Sequence, residues 1–332
     1  MSTPVLICDD SALARKQIAR SLPKDWDISI HFAKDGQEGI ESIRQHKGDV
    51  VFLDLNMPVM SGYEVLETIK REDLPAIVIV ISGDVQSEAY KRVRELGAID
   101  FIEKPINSEK LTTLLEQYGI YKPGGYSSRS APEEIERIEL RDALQEVSNI
   151  AMGHAGDLLG RLLDVFILLP VPNVNTLEGS ELHMTLNHIA QYEKVSAVSQ
   201  GFIGSGINGE AIIIFHDASF SDMTKLLQYE DLESNHLEIE VMNDISNILI
   251  GAFLNGLAEQ FNIPFSQGQP NVLGQHAKIE DIIKNQQECW QKMLTIEVNY
   301  RIQDHNIKCD LLLLFTEDSI PVIQTQIGYL LD

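Results

Sequence analysis

Three things are scarce in this chain, and each scarcity excludes something. Its 332 residues hold three cysteines, Cys8, Cys289 and Cys309. That odd number, without metal-type spacing, gives no disulfide framework and suits a reducing cytosol. Positive charge is scarce too: 26 Lys and Arg stand against 50 Asp and Glu, a formal net charge of −24. A nucleic-acid surface needs clustered basic residues, so that partner is excluded. Long apolar runs are the third scarcity. The apolar start Val5–Cys8 is too short for a signal peptide, and no run reads as a membrane span. The expectation is a soluble cytoplasmic protein with no nucleic-acid or membrane partner. Its length and ordinary 44% hydrophobic content suit two domains, each able to bury a core.

In the first 120 residues, four short apolar runs each end at a polar residue. Val5–Cys8 leads to Asp9-Asp10, Val50–Leu53 to Asp54, Ile77–Ile81 to Ser82, and Phe101-Ile102 to Glu103-Lys104-Pro105. Amphipathic segments lie between them, at Ala12–Ser21, Gln37–Gln45, Tyr63–Lys70 and Gln86–Glu95. This alternation predicts a doubly wound parallel sheet with its site beyond the carboxyl ends of the strands. Asp9, Asp10, Asp54, Ser82 and Lys104 would converge there. Three carboxylates in one pocket repel unless they share a cation, and an all-oxygen set suits Mg²⁺. A carboxylate can also attack a phosphoryl group, the metal and a lysine then neutralising the phosphoryl oxygens. Read singly, Asp10 and Ser11 could be no more than helix caps before Ala12.

With these residues in place, together with Asn56-Met57-Pro58, Gly62 and Gly83, residues 1–120 resemble a two-component receiver domain, CheY-like and five-stranded. The resemblance implies that Asp54 is phosphorylated by a cognate histidine kinase. It implies that Asp10, Asp54 and the Asn56 carbonyl hold Mg²⁺, with Asp9 acting through water. Ser82 and Lys104 would contact the phosphoryl group, Phe101 would be the aromatic switch, and the Lys104–Pro105 bond would be cis.

Tyr118–Ala131 (YGIYKPGGYSSRSA) has no hydrophobic period and reads as a flexible joint. Fully extended, such a segment reaches about 45 Å. The division expected is 1–120, a linker at 121–131, and a second domain at 132–332.

The second domain is organised around Leu140–Leu163, which reads as one long helix. At 3.6 residues per turn, Asp142, Glu146, Asn149, Gly153, Gly156 and Gly160 share one face. Leu144, Val147, Ala151, Leu158 and Leu162 form the opposite, core-facing stripe. The outward stripe is thus two carboxylates, an amide and bare glycine backbone, a surface suited to close approach. Glu240, Asp244, Asn247 and Gly251 repeat it, each 98 residues after its counterpart. Pro172 and Pro270 keep the same offset, which implies a duplicated half-domain. Strands are expected at Val195–Ile203, Glu210–His216, Leu294–Ile302 and Lys308–Phe315. Helices are expected at Ser221–Tyr229, Leu237–Phe261, Gln275–Gln287 and Pro321–Leu331. The fold expected is α+β with a pseudo-twofold. Gly204–Gly209 fits G-x-G-x-x-G, but it falls between two strands, and Asn208-Gly209 reads as a hairpin turn. His154 reads as a core histidine; His183 and His188 lack the spacing of a helical metal pair.

An exposed amide can hold a water and a carboxylate can pair with a lysine. That is too little for a self-contained enzyme. It suffices if a docked, phosphorylated receiver brings the metal, the acyl phosphate and the lysine. Residues 132–332 resemble the CheC/CheX/FliY family of chemotaxis phosphatases. The pattern is fitted throughout by Asp142, Glu146, Asn149 and Pro172; the second copy departs with Glu240 and Asp244. The resemblance makes Glu146 and Asp244 the contacts to a target lysine and Asn149 and Asn247 the water-positioning amides. It implies a phosphatase of phosphorylated CheY-like receivers under the control of Asp54. A variant makes the chain's own receiver the substrate. The other reading is a non-catalytic adaptor for a CheD-like or flagellar-switch partner.

Overall fold

In a computed structural model the chain forms two compact units, Met1–Glu146 and Val147–Asp332. The structure describes residues 2–124, 139–178, 194–227, 234–279, 282 and 292–331.

The first unit contains a parallel five-stranded sheet in the order β2-β1-β3-β4-β5. Its strands are β1 (Thr3–Cys8), β2 (Ile28–Ala33), β3 (Val50–Leu53), β4 (Ile77–Ser82) and β5 (Asp100–Glu103). Helices α1 (Ala12–Ser21), α2 (Gly36–Arg44), α3 (Gly62–Glu72), α4 (Ser87–Glu95) and α5 (Ser108–Gln117) alternate with them. Both faces are covered, so successive strand residues feed two cores. Val5, Ile7, Val50 and Phe52 join one, while Leu6, Cys8, Val51 and Leu53 join the other. That is why these strands read as unbroken apolar runs. Strand β2 escapes such a reading because it lies at the sheet edge, where Ser29 and His31 interrupt its apolar residues.

The expected joint is partly anchored. Tyr118 closes α5 and donates its hydroxyl to Asp100 and the Ile99 carbonyl. Tyr121 is buried in a receiver core, 6.0 Å from the Trp26 ring. The remainder of that expectation, 125–131, lies outside the described residues. The first unit also runs past residue 120. It takes in the opening turns of α6 (Leu140–Leu163), because their polar side chains bond to the receiver.

The second unit is built on an eight-stranded sheet with the path β10-β8-β9-β13-β12-β6; β11 pairs with β8 and β7 with β12. These strands are β6 (Ile167–Leu168), β7 (Asn173–Glu178), β8 (Val195–Gly204), β9 (Ile207–His216), β10 (Ser266–Gln267), β11 (Asn271–Ala277), β12 (Lys292–Ile302) and β13 (Lys308–Thr316). The described helices here are the rest of α6, α7 (Phe220–Leu226), α8 (Ser234–Phe261) and α9 (Ile320–Leu331).

The duplication is visible in the strands. The hairpins β8–β9 and β12–β13 meet antiparallel along β9 and β13, with Ile212 opposite Leu312. Each hairpin leads into a 3-10 turn whose serine grips the other half. Ser219 accepts from the Lys308 amide at 3.1 Å, and Ser319 accepts from the Asn208 amide at 2.9 Å. Both pairs are related by 100 residues, against 98 for the helix motifs.

Several sequence expectations change here. The hairpin turn is Ser205-Gly206, both with positive φ (40° and 88°), while Asn208 and Gly209 already belong to β9. Two residues in that region give the tight hairpin reversal. Gln275–Ala277 continues strand β11 instead of opening a helix; Ile279 and Ile282 are helical, and 283–287 lie outside the described residues. Leu158 and Leu162 are 49% and 46% exposed, and Leu159 and Leu163 face the core in their place. At 100° per residue Leu162 stays in line with Leu144, so the change of buried face reflects what packs against α6 and not the period of the helix. The supposedly outward Glu146 and Asn149 are buried, so both faces of α6 are covered there. Gly156 lies against the Leu169 side chain. His154 is half-exposed, 3.9 Å from Glu259. Finally, Leu237–Phe261 is long and apolar enough to cross a membrane, by length and composition alone, with 61% of the apolar window buried. Gly256 lets α8 touch the α6 backbone, since a Cβ there would lie 2.6 Å from Ala151 Cα.

Candidate functional site

The first unit gathers the expected strand-end residues. Asp9, Asp54, Ser82 and Lys104 are buried at the carboxyl end of the sheet. Local bonds fix each of them. Asp9 Oδ1 accepts from the Ser11 amide at 2.9 Å, Asp54 Oδ2 from the Asn56 amide at 2.8 Å, and Ser82 Oγ from the Asp84 amide at 3.2 Å. Gly62 is needed beneath this loop, because a Cβ there would stand 2.2 Å from the Asp54 carbonyl oxygen. The Lys104–Pro105 bond is cis. Phe101 is half-buried and meets Tyr90 edge-on at 5.8 Å.

Lys104 Nζ sits 2.8 Å from Asp9 Oδ2, 3.1 Å from Asp54 Oδ1 and 3.0 Å from Glu146 Oε1. The third of these carboxylates comes from the opening turns of α6. Two further side chains of that segment hold the receiver. Gln145 Nε2 donates to Asp10 Oδ2 at 3.0 Å. The Asp142 carboxylate accepts from the first two amides of α1, Ala12 at 3.0 Å and Leu13 at 3.1 Å. Ser11 caps the third, so a full carboxylate sits on the positive end of the helix dipole. Gln145 was not singled out in the sequence. Its only signal is its place beside Glu146, and its partner lies 135 residues away.

Carboxylates outnumber cations in this pocket, and their proton affinities reflect it. Burial pushes Asp9 well up, the nearby Lys104 charge pulling against it and Asp54 and Glu146 adding repulsion. Asp10 is pushed up to about 7, first by burial and then by Asp54. Burial likewise raises Glu146, against the opposing pull of Lys104. Burial alone would discharge Lys104, but Asp54, Asp9 and Glu146 together hold it well above its usual value.

The oxygen-only donor set fits a hard divalent cation, and Asp54 Oδ1 is buried with the Lys104 ammonium beside it at 3.1 Å. Asp10 and Asp9 are directed instead to Gln145 and Lys104. Among the described residues no cluster of three His, Cys, Asp or Glu side chains is arranged around a metal position.

The asparagines of the two acid–x–x–Asn motifs, both in the second unit, differ. Asn149 is buried, and its Oδ1 has no hydrogen-bond partner. Glu240, Asp244 and Asn247 are exposed on α8. A polar cluster that sequence reasoning missed joins α8 to the sheet: His276 contacts Asp217 at 2.9 Å and Glu238 at 2.8 Å. A cleft of about 910 Å³ is lined by residues of β8, β9, β10, β12 and β13, including Phe202, Ile203 and Leu314, and by none of the expected site residues. His183 and His188 lie outside the described residues.

Residues 5–116 match the response regulator receiver domain model. The chain is 42% identical over 115 residues to protein-glutamate methylesterase/protein-glutamine glutaminase 3 of Geobacter sulfurreducens, covering 34% of this chain and 31% of that protein. It therefore spans about a third of the length of that curated relative. The response regulator domain of Thermotoga maritima CheB is 29% identical, with a TM-score of 0.33, covering 37% of this chain and all of that one. Thermotoga maritima FliY is 16% identical, with a TM-score of 0.44, covering 59% of this chain and 99% of that one. Residues 5–116 of this chain are a response regulator receiver domain.

Proposed function

We propose that the chain is a phospho-aspartate phosphatase. Its acid–x–x–Asn helices engage a phosphorylated CheY-like receiver and direct a water at phosphorus. Phosphorylation of Asp54 by a cognate histidine kinase governs the activity. The observation that carries this reading is the ion pair between Glu146 and Lys104. The acid that would hold a target receiver's lysine stands 3.0 Å from the corresponding lysine of a receiver.

The chemistry asked of the helix is modest. A carboxylate on the lysine fixes the helix on the receiver. One turn on, an asparagine offers a carbonyl oxygen that can accept a hydrogen from water. Asn149 carries such an oxygen, buried and without a protein partner. Aligning that water with the scissile bond is what the helix contributes to phosphoryl transfer. In this chain's receiver, Asp9, Asp10, Asp54 and the Asn56 carbonyl would hold Mg²⁺. When bound, the ion supplies neutralising charge for the phosphoryl oxygens. The match to the methylesterase covers about the extent of a receiver and lends this chain no methylesterase site.

The test is phosphate release from an isolated, phosphorylated CheY-like receiver in Mg²⁺, with the wild-type chain, Asn149→Ala, Asn247→Ala and the double substitution. Acceleration by the wild type and its loss in the double substitution are expected. No acceleration by the wild type, across several receivers, would leave a binding role only, toward a CheD-like or flagellar-switch partner.

A further inference from the structure

We infer that the cleft on the sheet of the second unit is a docking groove for a peptide segment of a partner protein, one that carries lysine or arginine around an apolar side chain. The cleft lies wholly within Val147–Asp332 and shares no residue with the phosphatase reading. Its floor carries the inference. Gly201 sits inside strand β8, opposite Glu210 of β9. A glycine inside a strand weakens it, and is usually required by a left-handed backbone or by a neighbour that excludes a Cβ. Gly204 and Gly209 are of the second kind: a Cβ would stand 2.5 Å from the Pro264 carbonyl oxygen at the one and 2.2 Å from the Leu314 carbonyl oxygen at the other. Gly201 is of neither kind. Its φ is not positive, and a Cβ there would meet nothing within 4 Å. The fold leaves room over this backbone and does not use it.

Gly268 extends the bare strip. Its amide donates to the Gly201 carbonyl at 2.8 Å, and its carbonyl accepts from Gln200 Nε2 at 2.7 Å, so both glycines are held in place. Gly268, Gly201 and Glu210 thus form one row across the sheet, two residues of naked backbone ending at a carboxylate. The cleft above them, about 910 Å³, is of the size that binding sites have.

The rim gives the occupant its chemistry. Ile203, two residues along β8, is 62% exposed and offers an apolar contact. Glu210, Glu317 and Asp318 line the cleft, and no Lys, Arg or His is among its described lining residues. Carboxylates on β9 and on the turn after β13 call for more than one cation, with an apolar group between them. A basic peptide supplies both, its long side-chain stems lying over the glycines and its charged heads at the acids. A lipid phosphate or a nucleic acid would be repelled.

The test is fluorescence anisotropy of a labelled heptapeptide of alternating lysine and leucine, titrated with the full-length chain at low salt. Peptides of alternating glutamate and leucine, and of alternating lysine and serine, control for charge and for apolar contact. The lysine–leucine peptide should bind, and the two controls about tenfold more weakly or less. Gly201→Leu fills the strip with a side chain for which the fold has room. It should weaken binding about tenfold or more, with a melting temperature no lower than that of the wild type. Glu317→Gln combined with Asp318→Asn should weaken it about fivefold, as two rim charges do. Glu259→Gln combined with Asp304→Asn, exposed acids outside the cleft, should leave it unchanged.

Absence of lysine–leucine binding would overturn the groove. Equal binding of the lysine–serine peptide, or an equal loss in the Glu259 and Asp304 variant, would reduce it to general attraction toward a chain of net charge −24. Wild-type affinity in Gly201→Leu would put the peptide elsewhere, and a lowered melting temperature in that variant would show the chain itself filling the space. Concentration-dependent sedimentation of the wild type, lost in Gly201→Leu, would give the cleft to a second copy of this chain in place of a partner's peptide.

Discussion

Asp142→Ala tests the clamp at its most measurable point. The carboxylate spans the first two amides of α1 at 3.0 and 3.1 Å, and Ser11 is already committed to the third. No backbone carbonyl of the same helix can reach those two amides. A hydrogen bond to a charged group contributes about 1.5–3 kcal/mol, and helix-capping losses run at about 1 kcal/mol. Asp142 is half-buried, so solvent screening brings each bond down to the capping loss of about 1 kcal/mol, and together they are worth about 2 kcal/mol at the α1 terminus. Amide hydrogen exchange is the assay, since it reads local opening residue by residue. Ala12 and Leu13 should exchange about thirtyfold faster in the variant, the equivalent of about 2 kcal/mol. Asp142→Asn, which keeps one acceptor and loses the charge, should fall between. Amides along β9 and β13 should be unaffected. Wild-type exchange at Ala12 and Leu13 in Asp142→Ala would refute the clamp as drawn.

Two other perturbations follow from the geometry. Gly62→Ala places a methyl 2.2 Å from the Asp54 carbonyl oxygen, a backbone atom that cannot swing aside; thermal melting should show a loss of about 3 kcal/mol, and an unchanged melt would contradict the contact. His276 is held protonated by Asp217 and Glu238, so its folded pKa lies above the unfolded value. Its stabilising contribution is therefore complete below about pH 6.5 and fades as pH rises through the raised folded value. Urea midpoints of wild type and His276→Gln should differ most at pH 6 and converge toward pH 9, whereas a constant difference would deny the titration.

Much of the receiver could be read from the chain because buried parallel strands write themselves as uninterrupted aliphatic runs. Val50–Leu53 and its following Asp54 are as legible in one dimension as in three. Strand β2 was not, since an edge strand tolerates Ser29 and His31. The helix motif at Asp142 was legible through its repeat, yet its occupant was not. Nothing local to Gln145 announces Asp10, and Glu146 reads as a surface acid until Lys104 is placed beside it. Periodicity also mistook Leu158 for core, because the face of α6 that is covered changes along the helix while the period does not. The segment Gln275–Ala277 shows the opposite error, a polar strand whose residues carry no strong β signal.

The reciprocal grip of Ser219 on Lys308 and Ser319 on Asn208 has a mechanical meaning. Each half of the second unit supplies the latch for the other's hairpin, and β9 and β13 zip the two together. Neither half can peel away without undoing its twin, so the unit opens as a single cooperative block. The two acid–x–x–Asn helices are thereby yoked: damage to the scaffold under one is damage under both, however differently their faces are employed.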